Sequence, residues 1–271
     1  MTVATVGTTP ARKFSLRSIT QSDATLRIVA GIVILLVWEI GVRLGAPAFV
    51  ARPSGIIAVL PKVLSSPDFW AQARATLGAV FQGLAIAFVT GTLVGVAIGR
   101  IKFVDRFTSI YISGLFAVPM TAILPLFSLW FGFTSDARLA TVVFASFFSI
   151  VVNVSDGARS VPPEYIEVSR SFRGSAWSRL TDVILPSSTP YLLAGLRLAA
   201  GRALIGAVVA EFFTTIPGLG FFILFQARTF HHNEAFVGVL VLAGAGVLFE
   251  TLLRTATTRL MPWYRRGEAG G

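Results

Sequence analysis

Six apolar runs of roughly twenty residues dominate the chain, the length an α-helix needs to cross about 30 Å of hydrocarbon. They cover Leu26 to Leu44, Ala75 to Gly99, Thr108 to Phe131, Leu139 to Val154, Tyr191 to Phe213 and Ala235 to Leu253. Inside lipid a helix satisfies its own backbone hydrogen bonds, so the expected fold is all-α and polytopic, with about six transmembrane helices. Hydrophobic residues make up 54% of the chain and charged residues only 13%, which excludes an ordinary soluble domain.

A net charge of +10 could suggest a nucleic-acid partner, so the placement of the basic residues matters. Six crossings put both termini on one side. Arg12, Lys13, Arg17, Arg27, Arg100, Lys102, Arg106, Arg159, Arg170, Arg173, Arg179, Arg254, Arg259, Arg265 and Arg266 fall on that side, and only Arg52, Lys62, Arg74, Arg138 and Arg228 fall opposite. The positive-inside rule makes the termini cytoplasmic and accounts for the charge without nucleic acid. With no cysteine in the sequence, disulfides, thiolate metal sites and cysteine nucleophiles are excluded.

Residues 1–25 read as a polar cytoplasmic tail, and Glu39 and Arg43 are spaced for a helical ion pair near the outer end of the first span. Ala46-Pro47-Ala48 permits a signal peptide cleaved after Ala48, although such a leader exceeds the usual length. Ala46 to Arg74 is interrupted by Pro53, Pro61 and Pro67 and reads as an interfacial helix on the outer side. In the second span Gly83, Ala87, Gly91, Gly95 and Gly99 recur every four residues, a stripe that lets another helix approach closely. Arg100, Lys102, Asp105 and Arg106 form a charged turn. Pro119 and Pro125 bend the third span, either as a passive kink or as a bend lining a path. Asp136 and Arg138 fall in a short outer loop, and Thr214 to Asn233 in another.

The longest interior run too polar for lipid is Pro162 to Pro190. Pro163 suits a first helical turn, Glu164 and Glu167 complement the positive helix end, and Tyr165, Val168, Ser169 and Phe172 share one face. Gly174 and Ser175 can end that helix, and a second with Trp177, Leu180 and Ile184 runs to Leu185 and Pro186. A helix–turn–helix with apolar side chains pointing away from a membrane protein needs a partner to cover it.

Glu167-Val168-Ser169, Arg173-Gly174 and Val183-Ile184-Leu185-Pro186 resemble the EAA loop of the permease subunits of bacterial binding-protein-dependent ABC importers. Val168-Ser169 stands where the family has two alanines, and Arg173 occupies the family's glycine position, with Gly174 one place later. The run AVPMTAILPLFSLWFGF, and YLLAGLRLAAGRALIGAVVAEF followed by IPGLGFFI, are similar to the nitrate, sulfonate and taurine branch of that family. The resemblance implies a type I importer permease fold over residues 26–266, with residues 158–189 as a cytoplasmic coupling loop and 267–271 as a tail. It implies a multi-pass protein of the bacterial inner membrane, working as a homodimer with two cytoplasmic ABC ATPase subunits and an extracytoplasmic solute-binding protein. It assigns Glu164, Glu167, Val168, Ser169, Arg173, Gly174, Leu185 and Pro186 to ATPase coupling. The solute is expected to be a small anion such as a sulfonate, taurine or nitrate, moved by alternating access.

Charge within a span is expensive, at least about 2.5 kcal/mol near the bilayer centre, so Arg197, Arg202, Glu211 and Glu250 need explanations. Arg197 can snorkel, Glu211 lies near an outer end, and Glu250 is spaced to pair with Arg254. Arg202 lies deepest, and packing and solute contact are both open for it. Arg197 and Arg202 point about 140° apart on a helix, so one anion clamp within a single subunit is not expected from them. Pro119, Pro125, Arg197, Arg202 and Glu211 are the path candidates, with no catalytic and no metal site. The lysines Lys13, Lys62 and Lys102 follow Arg12, Pro61 and Ile101, so no P-loop is present and ATP and Mg belong to partner subunits. A stand-alone secondary transporter using Arg202, Glu211 and Glu250 for ion coupling is the alternative. An intramembrane enzyme is a third reading, but His231 and His232 lack metal-ligand spacing.

Overall fold

A computed structural model describes residues 23–47 and 49–260. Most of the expected tails, with Arg12, Lys13, Arg17, Arg265 and Arg266, and the cleavage position Ala48 lie outside the described residues, while Asp23 to Thr25, expected in the first tail, open a helix. Among those described, every regular element is helical: α1 Asp23–Gly45, α2 Pro53–Leu64, α3 Pro67–Arg100, α4 Lys102–Ala117, α5 Met120–Phe131, α6 Ser135–Arg159, α7 Pro163–Ser171, α8 Ala176–Ser178, a π-helical turn Arg179–Ile184, α9 Leu185–Thr214, α10 Leu219–Arg228 and α11 His232–Leu260. Five are long and apolar enough to cross a membrane, and there are six if the bent pair α4–α5 is one span.

The chain divides into two compact units, Met1–Gly55 and Ile56–Gly271. In the first, α1 carries the expected Glu39–Arg43 pair at 2.6 Å. Glu39 also accepts hydrogen bonds from the backbone N–H of Ser54 at 3.0 Å and from its hydroxyl at 2.7 Å, tethering the stretch after α1.

In the second unit α6 lies against both α3 and α9. The glycine stripe explains the first contact: a Cβ on Gly83 would lie 2.5 Å from Val142 Cγ1, and one on Gly95 2.8 Å from Val154 Cβ. Such close approach replaces the hydrophobic drive that is missing between helices in lipid. The α9 side is equally small, with Ala199, Ala200, Ala203 and Ala207 buried against Val142, Ile150 and Val154. Ser66 caps α3 by accepting from Phe69 N–H at 3.4 Å, which starts the helix eight residues before the expected Ala75. Thr134 likewise caps α6 by accepting from Asp136 N–H.

Four expectations are corrected. The charged turn after Arg100 shrinks to Ile101, because Lys102, Asp105 and Arg106 already belong to α4. The third span is not one kinked helix: α4 and α5 meet at 100°, and the break falls at Val118-Pro119, with Pro125 inside α5. Val118 precedes a proline and is forced into extended backbone, which ends α4 there. Arg138 lies in the first turn of α6, not in a loop, and is 7% exposed. The outer segment Thr214 to Asn233 contains α10.

Candidate functional site

The polar run folds as a helix, a tight turn and a second helix. Pro163 opens α7, and the turn after it is a Schellman-type cap: Gly174 N–H donates to Ser169 C=O at 2.8 Å and Arg173 N–H to Arg170 C=O at 2.8 Å. That cap requires left-handed backbone at its central residue, and Arg173 adopts it with φ 56°. The arginine therefore holds a left-handed conformation that a glycine adopts freely, at about 1–2 kcal/mol of backbone strain. Gly174 meets a different demand, since a Cβ there would lie 2.6 Å from Ser169 Oγ. Arg179 closes the turn by donating to Gly174 C=O at 2.6 Å, and Asp182 accepts from the Ser178 and Thr181 hydroxyls.

One face of this unit is anchored and the other is bare. Ile166 and Ile184 bury against Ala158 and Val161 at the end of α6. Tyr165, Val168, Phe172 and Trp177 are exposed, Phe172 to 84%, and Glu164 and Glu167 are exposed beside them. Leu185 and Pro186 do not end a helix as expected. A proline cannot donate to the i−4 carbonyl, and the preceding turn widens so that Leu185 N–H donates to Leu180 C=O five residues back. The helical path thus runs unbroken from Ala176 to Thr214, joining the exposed turn to a membrane span.

The charged residues of the spans sort by partner. Glu211, expected among the path candidates, is instead sealed, with 0% exposure. Its carboxylate accepts from Thr76 Oγ1 at 2.8 Å, Arg138 at 3.0 Å and Gly220 N–H at 2.7 Å. Arg138 also donates to Pro217 C=O, and Leu219 N–H donates to Thr76 Oγ1 at 2.7 Å. These bonds fix the Pro217-Gly218-Leu219-Gly220 turn at the start of α10. Gly218 has no alternative there, because a Cβ would overlap the Glu211 carboxylate. Glu250 pairs with Arg197 across α11 and α9, not with Arg254 as its spacing suggested. Arg202 sits over the Phe116 ring at 4.2 Å, a cation–π contact. It lines a cavity of about 150 Å³ beside the α4–α5 break with Val118, Met120, Phe144 and Phe148. Pro119 begins the second arm of that break, while both Pro119 and Pro125 are exposed.

Residue spacing could not reveal Thr76 or Arg138 as partners of Glu211, since each lies more than seventy positions away. The one available signal was the Pro-Gly-x-Gly turn following a glutamate in a span. Arg173 was legible as a departure from a motif, but its left-handed backbone was not.

A bundle of apolar helices packed by small residues, with an exposed turn continuous with a membrane-length helix, defines a polytopic membrane protein. Residues 87–266 match the family described as the binding-protein-dependent transport system inner membrane component, and the chain belongs to that family. Similar proteins include the putative aliphatic sulfonates transport permease protein SsuC of Bacillus subtilis, 28% identical over 85% of this chain and 84% of its own length. The formylaminopyrimidine transport permease protein ThiX of Halalkalibacterium halodurans is 30% identical over 87% and 94% respectively. Among solved structures, an amino acid ABC transporter crystallised with histidines superposes with a TM-score of 0.58 at 18% identity, covering 74% of this chain and 96% of that one, a likeness of fold. The chain is thus a multi-pass permease subunit of an ABC importer of the inner membrane.

Proposed function

We propose that residues 26–266 form one permease domain in which 158–189 is a cytoplasmic coupling loop gripped by a separate ATPase subunit. The observation that carries this is the exposed face of Tyr165, Val168 and Phe172 beside Glu164 and Glu167 on α7, which the capped turn at Arg173-Gly174 joins to the helical path running unbroken from Ala176 through α9. Force on such a turn moves a membrane helix directly. Val168 supplies apolar contact, Ser169, Arg173 and Gly174 hold the turn, and Leu185 and Pro186 mark the transition into the span. Both termini are cytoplasmic on the charge asymmetry of the loops. The chain binds neither ATP nor Mg. Two copies of it, two ATPase subunits and an extracytoplasmic binding protein form the importer. ATP-driven closure of the ATPases opens the path outward, and hydrolysis resets it.

The solutes for which these relatives are named, aliphatic sulfonates and a formylaminopyrimidine, do not converge on one chemistry. The chain's own Arg202 favours a small anion. Ion coupling by Glu211 and Glu250, which a stand-alone secondary transporter would use, is disfavoured because both carboxylates are committed to arginines. The test is Glu167→Lys in the assembled complex: we expect uptake to fall at least tenfold while membrane insertion is unchanged. Undiminished uptake in an intact complex would overturn the assignment.

A further inference from the structure

Three arginines on the spans of the second unit differ in their partners: two pair with glutamates and one does not. Arg138 is paired with Glu211 at 3.0 Å and Arg197 is paired with Glu250. Arg202 has no carboxylate within ion-pair distance among the described residues, and its charged end rests on the Phe116 ring. A cation–π contact stabilises a guanidinium by about 0.5–2 kcal/mol, less than the insertion penalty of a charge at the centre of a span, at least about 2.5 kcal/mol. The remaining charge calls for an anion.

The surroundings of Arg202 restrict what that anion can be. The cavity it lines is walled by Met120, Phe144, Ala145, Phe148 and Ile205, with Arg202 its single charged lining group. Its volume is about 150 Å³, the size of an apolar cavity that holds a benzene ring. The cavity is half-open, and beside the guanidinium its lining side chains are all apolar, so a strongly hydrated inorganic anion gives up part of its water there and finds no further side-chain donor to replace it. An anion carrying an apolar body loses less water and gains from burying that body. The cavity also lies where α4 ends and α5 begins, so movement at the 100° break reshapes its wall.

We infer that Arg202 and this cavity form a solute-binding site within the membrane domain, selective for organic monoanions with an apolar body of up to about six carbons. The anionic head meets the guanidinium, and the body lies against Phe144 and Phe148. The inference rests on the import reading and deepens it, because it places part of the selection in the permease and not only in a soluble receptor.

The experiment is equilibrium binding of butanesulfonate to the full chain with its ATPase subunits in lipid nanodiscs, without a binding protein, in competition with methane- to hexanesulfonate, nitrate and bicarbonate. Affinity should rise about fourfold per added methylene until the cavity is full, and nitrate and bicarbonate should compete at least tenfold more weakly than butanesulfonate. Arg202→Gln should weaken binding at least tenfold, and Arg202→Lys should restore part of it. Ile205→Phe, which fills the wall from an exposed position, should weaken hexanesulfonate while sparing methanesulfonate and serves as the test should Arg202→Gln fail to assemble. Equal competition by nitrate, no dependence on chain length, or unaltered binding in both the Arg202→Gln and Ile205→Phe proteins would overturn the site. A complex that assembles with its ATPases and hydrolyses ATP but binds none of the sulfonates would sink this site and leave the import reading standing. A chain that associates with no ATPase would remove the import reading on which the site rests.

Discussion

Removing either member of the buried Glu211–Arg138 pair should destabilise the bundle more than any other single charge change. The carboxylate is fully buried and takes bonds from Thr76, Arg138 and Gly220 N–H, with the Arg138 contact at 3.0 Å. Glu211→Leu leaves a buried guanidinium and a buried N–H unsatisfied, and breaking a buried pair from one side costs about 3–5 kcal/mol. Arg138→Met leaves the carboxylate buried and also strips a donor from Pro217 C=O, a loss of similar size. Both changes together remove both charges, and a buried pair replaced by apolar residues is often nearly neutral. Unfolding of the purified chain in mixed micelles should therefore show each single variant shifted by about two to four decades in the folded-to-unfolded ratio. The double variant should recover most of that loss. Additive losses in the double variant would refute the reasoning, since they would show that the two groups do not act on one another.

Gly95→Leu should abolish assembly of the bundle, because even a Cβ there lies 2.8 Å from Val154 Cβ and 2.9 Å from Val151 C=O; size-exclusion profiles of the purified protein would show it. Gly78→Leu, where nothing lies within 4 Å of the new Cβ, is the matched control and should assemble normally. Arg173→Gly should relax the left-handed turn by about 1–2 kcal/mol, raising thermal stability while leaving ATPase association intact. A lower stability would show that the arginine side chain contributes more than its backbone strain costs.

Much of the helical framework was readable because apolar length and small-residue spacing act locally. The stripe from Gly83 to Gly99 identified a packing face, and α6 occupies it. Helix ends were less readable: Ser66 and Thr134 each extended a helix beyond its apolar part, since caps reward polar residues that hydropathy discounts. The break at Val118-Pro119 depends on whether a neighbour supports a bend or a full separation, and Pro119 alone does not say which. Partners of charges were the least readable. Spacing favoured Glu250 with Arg254, but a neighbouring helix offered Arg197 instead, and the link from Glu211 to Arg138 is tertiary.

The central claim is that the turn between α7 and α8 faces the cytoplasm and is covered by a separate ATPase. Because the chain has no native cysteine, a single Phe172→Cys substitution can be labelled without background. Phe172 is 84% exposed, so a membrane-impermeant maleimide should modify it in inverted vesicles stripped of ATPase, and in right-side-out vesicles it should not react. Adding back the ATPase subunits should block the reaction in inverted vesicles. Labelling from the outer face, or labelling at an undiminished rate in the assembled complex, would contradict the account.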